Sequence, residues 1–76
     1  MRILHAEDNR DLSAWLARLL RRKHYVIDCV HDGEEAGIAL KMQDYALVIL
    51  DPGMPGVGGL AANGQELVVD IAFPAD

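Results

Sequence analysis

The pattern of apolar and polar residues divides the chain into segments typical of strands and segments typical of helices. A short apolar run formed by Ile3, Leu4 and Ala6 leads into a polar segment at residues 7–9, which is typical of a brief strand that ends at a polar turn. Over residues 12–20, large apolar residues recur at helical spacing, and basic residues follow them. This pattern predicts an amphipathic helix capped by Asp8 or Asn9. Its apolar stripe consists of Leu12, Trp15, Leu16, Leu19 and Leu20.

The next segments repeat this alternation of strand and helix. Residues 25–30 are rich in β-branched and aromatic residues and predict a second strand. Asp32 followed by Glu35 resembles a capping box and predicts a second helix of about two to three turns. Residues 46–50 form an unbroken apolar run, as in a parallel strand covered on both faces. The apolar face of the second helix is predicted to contain Ala36, Ala39, Leu40 and Met42.

The order βαβαβ predicts an α/β fold with a parallel sheet and right-handed crossovers. Residues 67–73 predict one further strand, ended by Pro74. The first strand is followed by Glu7 and Asp8 and the third by Asp51. Because ligands bind beyond the carboxyl ends of parallel strands, we expect these three acids to converge on a hard cation, Mg²⁺ or Ca²⁺. The alternative is that Glu7 and Asp8 only cap the first helix.

Composition narrows the class of protein. A chain of 76 residues with 51% hydrophobic and 25% charged residues is typical of one small globular domain. The single cysteine, Cys29, excludes an internal disulfide and offers no zinc-ligand spacing. No apolar run has the length of a membrane span and no signal peptide is recognisable, so we expect a cytoplasmic protein without membrane contact.

The net charge of −5 is unevenly distributed along the chain. All seven basic residues lie within residues 1–41, so the acidic excess falls in residues 42–76. The densest basic group closes the first helix, where positive charge is favourable without any nucleic acid. We therefore expect no specific nucleic-acid binding by this chain alone. That basic group is Arg18, Arg21, Arg22 and Lys23.

Several of these motifs together resemble the receiver domain of two-component response regulators. The resemblance covers residues 1–60 and implies a flavodoxin-like sheet. It also implies that Asp51 is the phosphoacceptor and that Glu7, Asp8, Asp51 and the main-chain carbonyl of Gly53 hold Mg²⁺. A sensor histidine kinase would be the phosphodonor, and the chain itself would not be an enzyme. The matching segments are residues 1–4, 7–9, 25–30, 32–36, 44–51 and 54–56.

The sequence also departs from that family. The family has five βα units and a switch Ser or Thr, whereas this chain has no Thr and its only Ser is Ser13. Lys23 and Lys41 both precede the third strand, whereas the family's phosphate-contacting Lys follows the fifth. We therefore expect a truncated receiver-like domain whose output switch is lost and whose residues 61–76 form a divergent tail.

An incomplete sheet should leave part of the first helix and one strand edge uncovered. We therefore expect a homodimer, formed through these surfaces or through the strand predicted at residues 67–73. The alternative function is a non-signalling, dimerising scaffold or interaction domain with a vestigial acidic site. A phosphatase would need a general acid or a cationic partner near Asp51, and the sequence offers no candidate.

Overall fold

Strands and helices alternate throughout the part of the chain that the structure describes. The computed structural model describes residues 1–51, 53–54 and 67–69. The predicted α/β class is confirmed, and within the predicted segment 67–73 the structure describes a strand at Leu67–Val69 while the rest lies outside the described residues. The elements are β1 (Arg2–Ala6), α1 (Arg10–Arg22), β2 (Val26–Val30), α2 (Gly33–Met42), β3 (Leu47–Leu50) and β4 (Leu67–Val69).

The four described strands form one parallel sheet in the order β2-β1-β3-β4. This is the beginning of the flavodoxin-like strand order, as the resemblance implied. β1 is central and pairs with two neighbours, so that Ala6 lies between Val30 of β2 and Leu50 of β3. The carboxyl ends of three strands are therefore level with one another.

The core lies on both faces of the sheet, because successive residues of β1 and β3 point to opposite sides. Ile3 and Ile49 pack with Leu16 of α1 on one face. On the other face, Leu4 and Val48 are fully buried with residues of α2 and of the loops around β3. Both strands are covered on two sides, which explains the unbroken apolar sequence of β3.

Helix α1 begins after Asn9, whose side-chain Oδ1 accepts hydrogen bonds from the N–H groups of Asp11 (3.0 Å) and Leu12 (3.1 Å). Of the two predicted caps, Asn9 is the one used. These bonds satisfy two of the donors that the first turn of a helix leaves without partners. The sequence therefore fixes the start of α1 immediately beside Glu7 and Asp8.

The buried face of α1 differs from the predicted stripe. Its buried residues are Ser13, Leu16 and Ala17, whereas Leu19 is 37% exposed and Trp15 is half-buried. Three residues of the predicted stripe pack in or against the core, namely Trp15, Leu16 and Leu20. The burial of the small residues Ser13 and Ala17 was not predicted, because the pattern of large apolar residues does not include them.

Helix α2 confirms the capping motif. Asp32 Oδ1 accepts from the N–H of Glu35 at 2.8 Å, and Glu35 Oε1 accepts from the N–H of His31, also at 2.8 Å. Ala36 is fully buried, but the prediction for Met42 was wrong, because Met42 is 78% exposed. Met42 follows Ala36 by six positions, which turns it about 120° away from the Ala36 face of the helix. In the described ranges, no helix is long and apolar enough to cross a membrane.

A polar network that the sequence did not predict connects the first two strands with the loop before β3. Asp28 Oδ2 accepts hydrogen bonds from the Tyr45 hydroxyl at 2.7 Å and from Arg2 Nε at 3.0 Å. The bond from Tyr45 lowers the pKa of Asp28, while burial and the same bond raise the pKa of Tyr45 to about 12. The network therefore favours ionised Asp28 and protonated Tyr45 at neutral pH.

We expect Tyr45→Phe to lower the free energy of unfolding by roughly 1 to 2 kcal/mol, because a hydrogen bond to a charged group is lost. Urea unfolding at pH 7 measures this difference. Tyr25→Phe is the matched control, since Tyr25 is a half-buried tyrosine outside the network. Equal destabilisation of the two variants would contradict a specific contribution from the Asp28 bond.

Candidate functional site

Three acids meet at the carboxyl ends of β1 and β3. Glu7, Asp8 and Asp51 can each offer a carboxylate oxygen such that the three atoms lie within 4.8 Å of one another. We call these residues the acidic cluster. Their meeting follows from the register, because Ala6 pairs with Leu50 and the N–H of Asp51 donates to the Ala6 carbonyl at 3.0 Å. The acids thus converge as expected, and the ligand they take stays a prediction.

The three acids differ in their environments. Glu7 is only 5% exposed, and its Oε2 accepts from the N–H of Asn9 at 3.2 Å. Asp8 is exposed and Asp51 is half-buried. Because Asn9 supplies the cap of α1, the two acids of this loop are not needed for that purpose. The alternative that Glu7 and Asp8 serve only as caps is therefore not supported.

A tight turn after β3 orients Asp51. Its Oδ1 accepts from the N–H of Gly53 at 2.9 Å, and its main-chain carbonyl accepts from the N–H of Met54 at 3.1 Å. Met54 is buried on the α2 side of the sheet and so anchors the turn. A Cβ atom at Gly53 would lie 3.5 Å from Asp51 Oδ1, an ordinary contact. That the main-chain carbonyl of Gly53 is a ligand of Mg²⁺ stays a prediction.

Burial and the neighbouring Asp51 disfavour ionisation of Glu7 within the acidic cluster. Burial is the main cause that raises the pKa of Glu7, the hydrogen bond from Asn9 opposes the shift and the neighbouring Asp51 carboxylate adds to it, so that the pKa is about 7. A carboxyl group in such surroundings ionises readily only when positive charge is close by. The three oxygen donors therefore fit a hard divalent cation, which would supply that charge.

Two histidines lie near the cluster. His5 is buried within β1, and burial lowers its pKa. It is not one of the residues of the acidic cluster. The sequence did not single out His31, whose ring Nδ1 lies 3.0 Å from the Glu7 carbonyl oxygen. Its position directly after β2, the neighbour of β1, was the available signal.

Comparison with known proteins identifies a family and several relatives of this chain. Residues 3–69 match the response regulator receiver domain family. The chain is 48% identical over 75 residues to the transcriptional regulatory protein TctD of Salmonella typhimurium, covering 91% of this chain and 34% of TctD. It is 42% identical over 59 residues to the transcriptional regulatory protein HprR of Escherichia coli, covering 78% of this chain and 26% of HprR. The chain thus spans about a third or less of these curated relatives.

A solved structure extends the similarity to the fold. The receiver domain from the hybrid histidine kinase CckA superposes with a TM-score of 0.65 at 28% sequence identity. The match covers 100% of this chain and 88% of the CckA domain. The similarity therefore includes the sheet edge that carries the acidic cluster.

The raised pKa of Glu7 predicts a pH dependence of the metal-free protein. Glu7 binds its proton more tightly in the folded chain than the ordinary value of 4.5 allows, so its contribution to stability is complete below pH 4.5 and is lost as the pH rises through about 7. Urea unfolding of the wild type and of Glu7→Gln across this range measures the effect. The lowered pKa of His5 produces the opposite slope in both proteins and cancels in their difference. A pH-independent difference would contradict the assignment.

Proposed function

The chain belongs to the response regulator receiver domain family, and from this membership we propose that it accepts a phosphoryl group on Asp51. The observation that carries the proposal is the meeting of Asp51 with Glu7 and Asp8, whose ligand oxygens lie within 4.8 Å of one another. Receiver domains of response regulators interact with sensor histidine kinases, and we propose such a kinase as the donor. We place this exchange in the cytoplasm.

The proposed reaction needs little from the protein beyond a positioned carboxylate. An Asp51 oxygen forms a bond to phosphorus while the bond between phosphorus and the donor nitrogen of the kinase breaks. The hydrogen bond from the Gly53 N–H to Oδ1, at 2.9 Å, restricts rotation of the acceptor. Restricting the nucleophile in this way removes part of the entropy cost of the reaction.

We further propose that the acidic cluster, together with the Gly53 carbonyl, holds Mg²⁺. When bound, the ion supplies positive charge that offsets the negative charge on the transferring phosphoryl oxygens. The proposal is supported by the oxygen-only donor set and by the raised pKa of Glu7, which marks a place that lacks compensating charge. Glu7 and Asp8 both follow β1, so one short loop contributes two of the three acids.

We assign only the acceptor half of receiver activity to these 76 residues. Ser13, the sole hydroxyl of the Ser/Thr type, is buried on α1 and cannot read a phosphoryl group at Asp51. We propose residues 1–60 as the segment that carries the acceptor activity and 61–76 as the divergent tail, although β4 in that tail pairs with β3. We propose no enzyme activity of the chain's own and no specific nucleic-acid binding.

A second candidate function, a dimerising scaffold, is favoured by the partly uncovered outer face of α1. Leu19 is 37% exposed there, and Trp15 of the same helix is only half-buried. We propose that two copies of the chain associate through this face. The scaffold and the acceptor differ in their need for Asp51, since only the acceptor requires its carboxylate.

Phosphorylation tests the leading proposal. We expect the wild type, incubated with an acyl phosphate donor and Mg²⁺, to gain one phosphate by intact-mass measurement, and we expect Asp51→Asn to gain none. Asp51→Asn should also weaken Mg²⁺ binding at least about tenfold, because a charged ligand is lost. The matched control is Asp44→Asn, at an exposed acid before β3. An adduct that persists in Asp51→Asn would refute Asp51 as the acceptor.

Self-association is tested separately by sedimentation equilibrium. We expect Leu19→Glu to weaken dimerisation at least about tenfold, because a charge would have to be buried in the interface. Ile38→Glu, at an exposed apolar residue of α2, should leave the association unchanged. A wild-type chain that remains monomeric would exclude both the dimer and the scaffold function.

A further inference from the structure

His31 connects two elements that border the acidic cluster. Its ring Nδ1 lies 3.0 Å from the main-chain carbonyl oxygen of Glu7, in the loop between β1 and α1. Its main-chain N–H donates to Glu35 Oε1 at 2.8 Å, in the first turn of α2. The side chain is half-buried. One residue thus joins the loop that carries two of the acids to the start of the second helix.

The chemistry of the bond to Glu7 determines which ring nitrogen carries a proton. A carbonyl oxygen can only accept, so Nδ1 must be the donor. Both the neutral Nδ1–H tautomer and the imidazolium provide this donor, and the bond therefore does not depend on the charge of His31. The backbone of His31 is anchored by its bond to the Glu35 side chain, so the ring donor is held near the Glu7 carbonyl before any ligand arrives.

The acceptor of this bond, the main-chain carbonyl of Glu7, lies between two acids of the cluster in the chain. β1 ends at Ala6, and the N–H of Glu7 still pairs with the Val30 carbonyl at 3.0 Å. The Glu7 carbonyl lies beyond the strand, in the peptide unit that links Glu7 to Asp8. Fixing this peptide unit restricts the main chain from which both carboxylates extend.

We propose that His31 is a positioning residue of the acidic cluster, which holds the peptide between Glu7 and Asp8 so that both carboxylates remain close to Asp51. The inference rests on the proposed function, since it concerns the same cation site. His31 is not one of the three acids of the cluster, and its proposed effect runs through the main chain of Glu7. A purely structural role would change the stability of the fold and leave the affinity for a cation as it is.

The test compares the full chain with three variants. His31→Leu replaces the ring by an apolar side chain without a donor. His31→Asn replaces Nδ1–H by a side-chain amide N–H. Neither change alters the main-chain bond to Glu35. His24→Asn is the control for losing an imidazole, because His24 is exposed after α1 and its φ of 69° is one that Asn tolerates. Amide NMR during Mg²⁺ titration measures affinity, and the Glu7 carbonyl ¹³C shift in metal-free protein measures the hydrogen bond.

We expect His31→Leu to weaken Mg²⁺ binding about threefold to tenfold, at or below the lower end of the effect of outer-shell partners of metal ligands. His31→Asn should restore the affinity to within about twofold, and His24→Asn should match the wild type. The Glu7 carbonyl resonance should move in His31→Leu and return in His31→Asn. Wild-type Mg²⁺ affinity in His31→Leu would overturn the inference.

Failure of the cation site is distinguishable from failure of the inference. If the wild type does not bind Mg²⁺, the proposed cation site is wrong, and the metal-free carbonyl shift then decides whether His31 holds the peptide. An unmoved Glu7 resonance in His31→Leu would overturn that positioning too. If His31→Leu fails to fold, His31→Asn decides, and a Glu7 carbonyl shift displaced from its wild-type value in that variant would overturn the inference.

Discussion

The parallel pairing of β1 with both of its neighbours is the constraint on which the rest of the structure depends. Because Ala6 lies between Val30 and Leu50, the residues that follow three strands emerge at one level. A shift of the register by one residue would send the apolar side chains of β3 to the wrong faces and would separate Asp51 from Glu7. The same register therefore determines both the core and the acidic cluster.

The cluster has an energetic cost that the surrounding structure offsets. Glu7 is almost completely buried next to Asp51, an arrangement that opposes ionisation of Glu7 and raises its pKa. Local hydrogen bonds compensate in part, since Asn9 donates to Glu7 and Gly53 donates to Asp51. The buried residues on the two faces of β1 and β3 supply the remaining stability. Such a balance is common at functional sites, where local stability is lower than elsewhere in the fold.

Much of the architecture could be predicted because local sequence and tertiary environment agree. The unbroken apolar run of β3 and the capping residue Asp32 each have one dominant physical interpretation, and the structure uses both as predicted. The convergence of the acids followed from strand polarity alone. The fold and the position of the candidate site were therefore accessible from the sequence, whereas the identity of the ligand depended on the family resemblance.

The features that sequence analysis missed depend on distances between residues far apart in the chain. The bond between Tyr45 and Asp28 spans 17 positions and that between His31 and Glu7 spans 24, so neither follows a helical or strand period. The rotation of α1 toward Ser13 and Ala17 depends on how closely a helix can approach this particular sheet. Hydrophobic periodicity identifies a helix and its general orientation, but close packing selects the final face.

The small buried residues of α1 lie on the same helix whose first turn borders the acidic cluster. Ala17 is 3% exposed, so little room surrounds its methyl group. The same helix begins at Asn9, whose N–H contacts the Glu7 carboxylate. A bulkier side chain at position 17 would displace α1 from its packed position. Because a helix is rigid, its first turn would move as well. We therefore expect a larger residue at Ala17, about two helical turns from Asn9, to disturb the acidic cluster as well as the core.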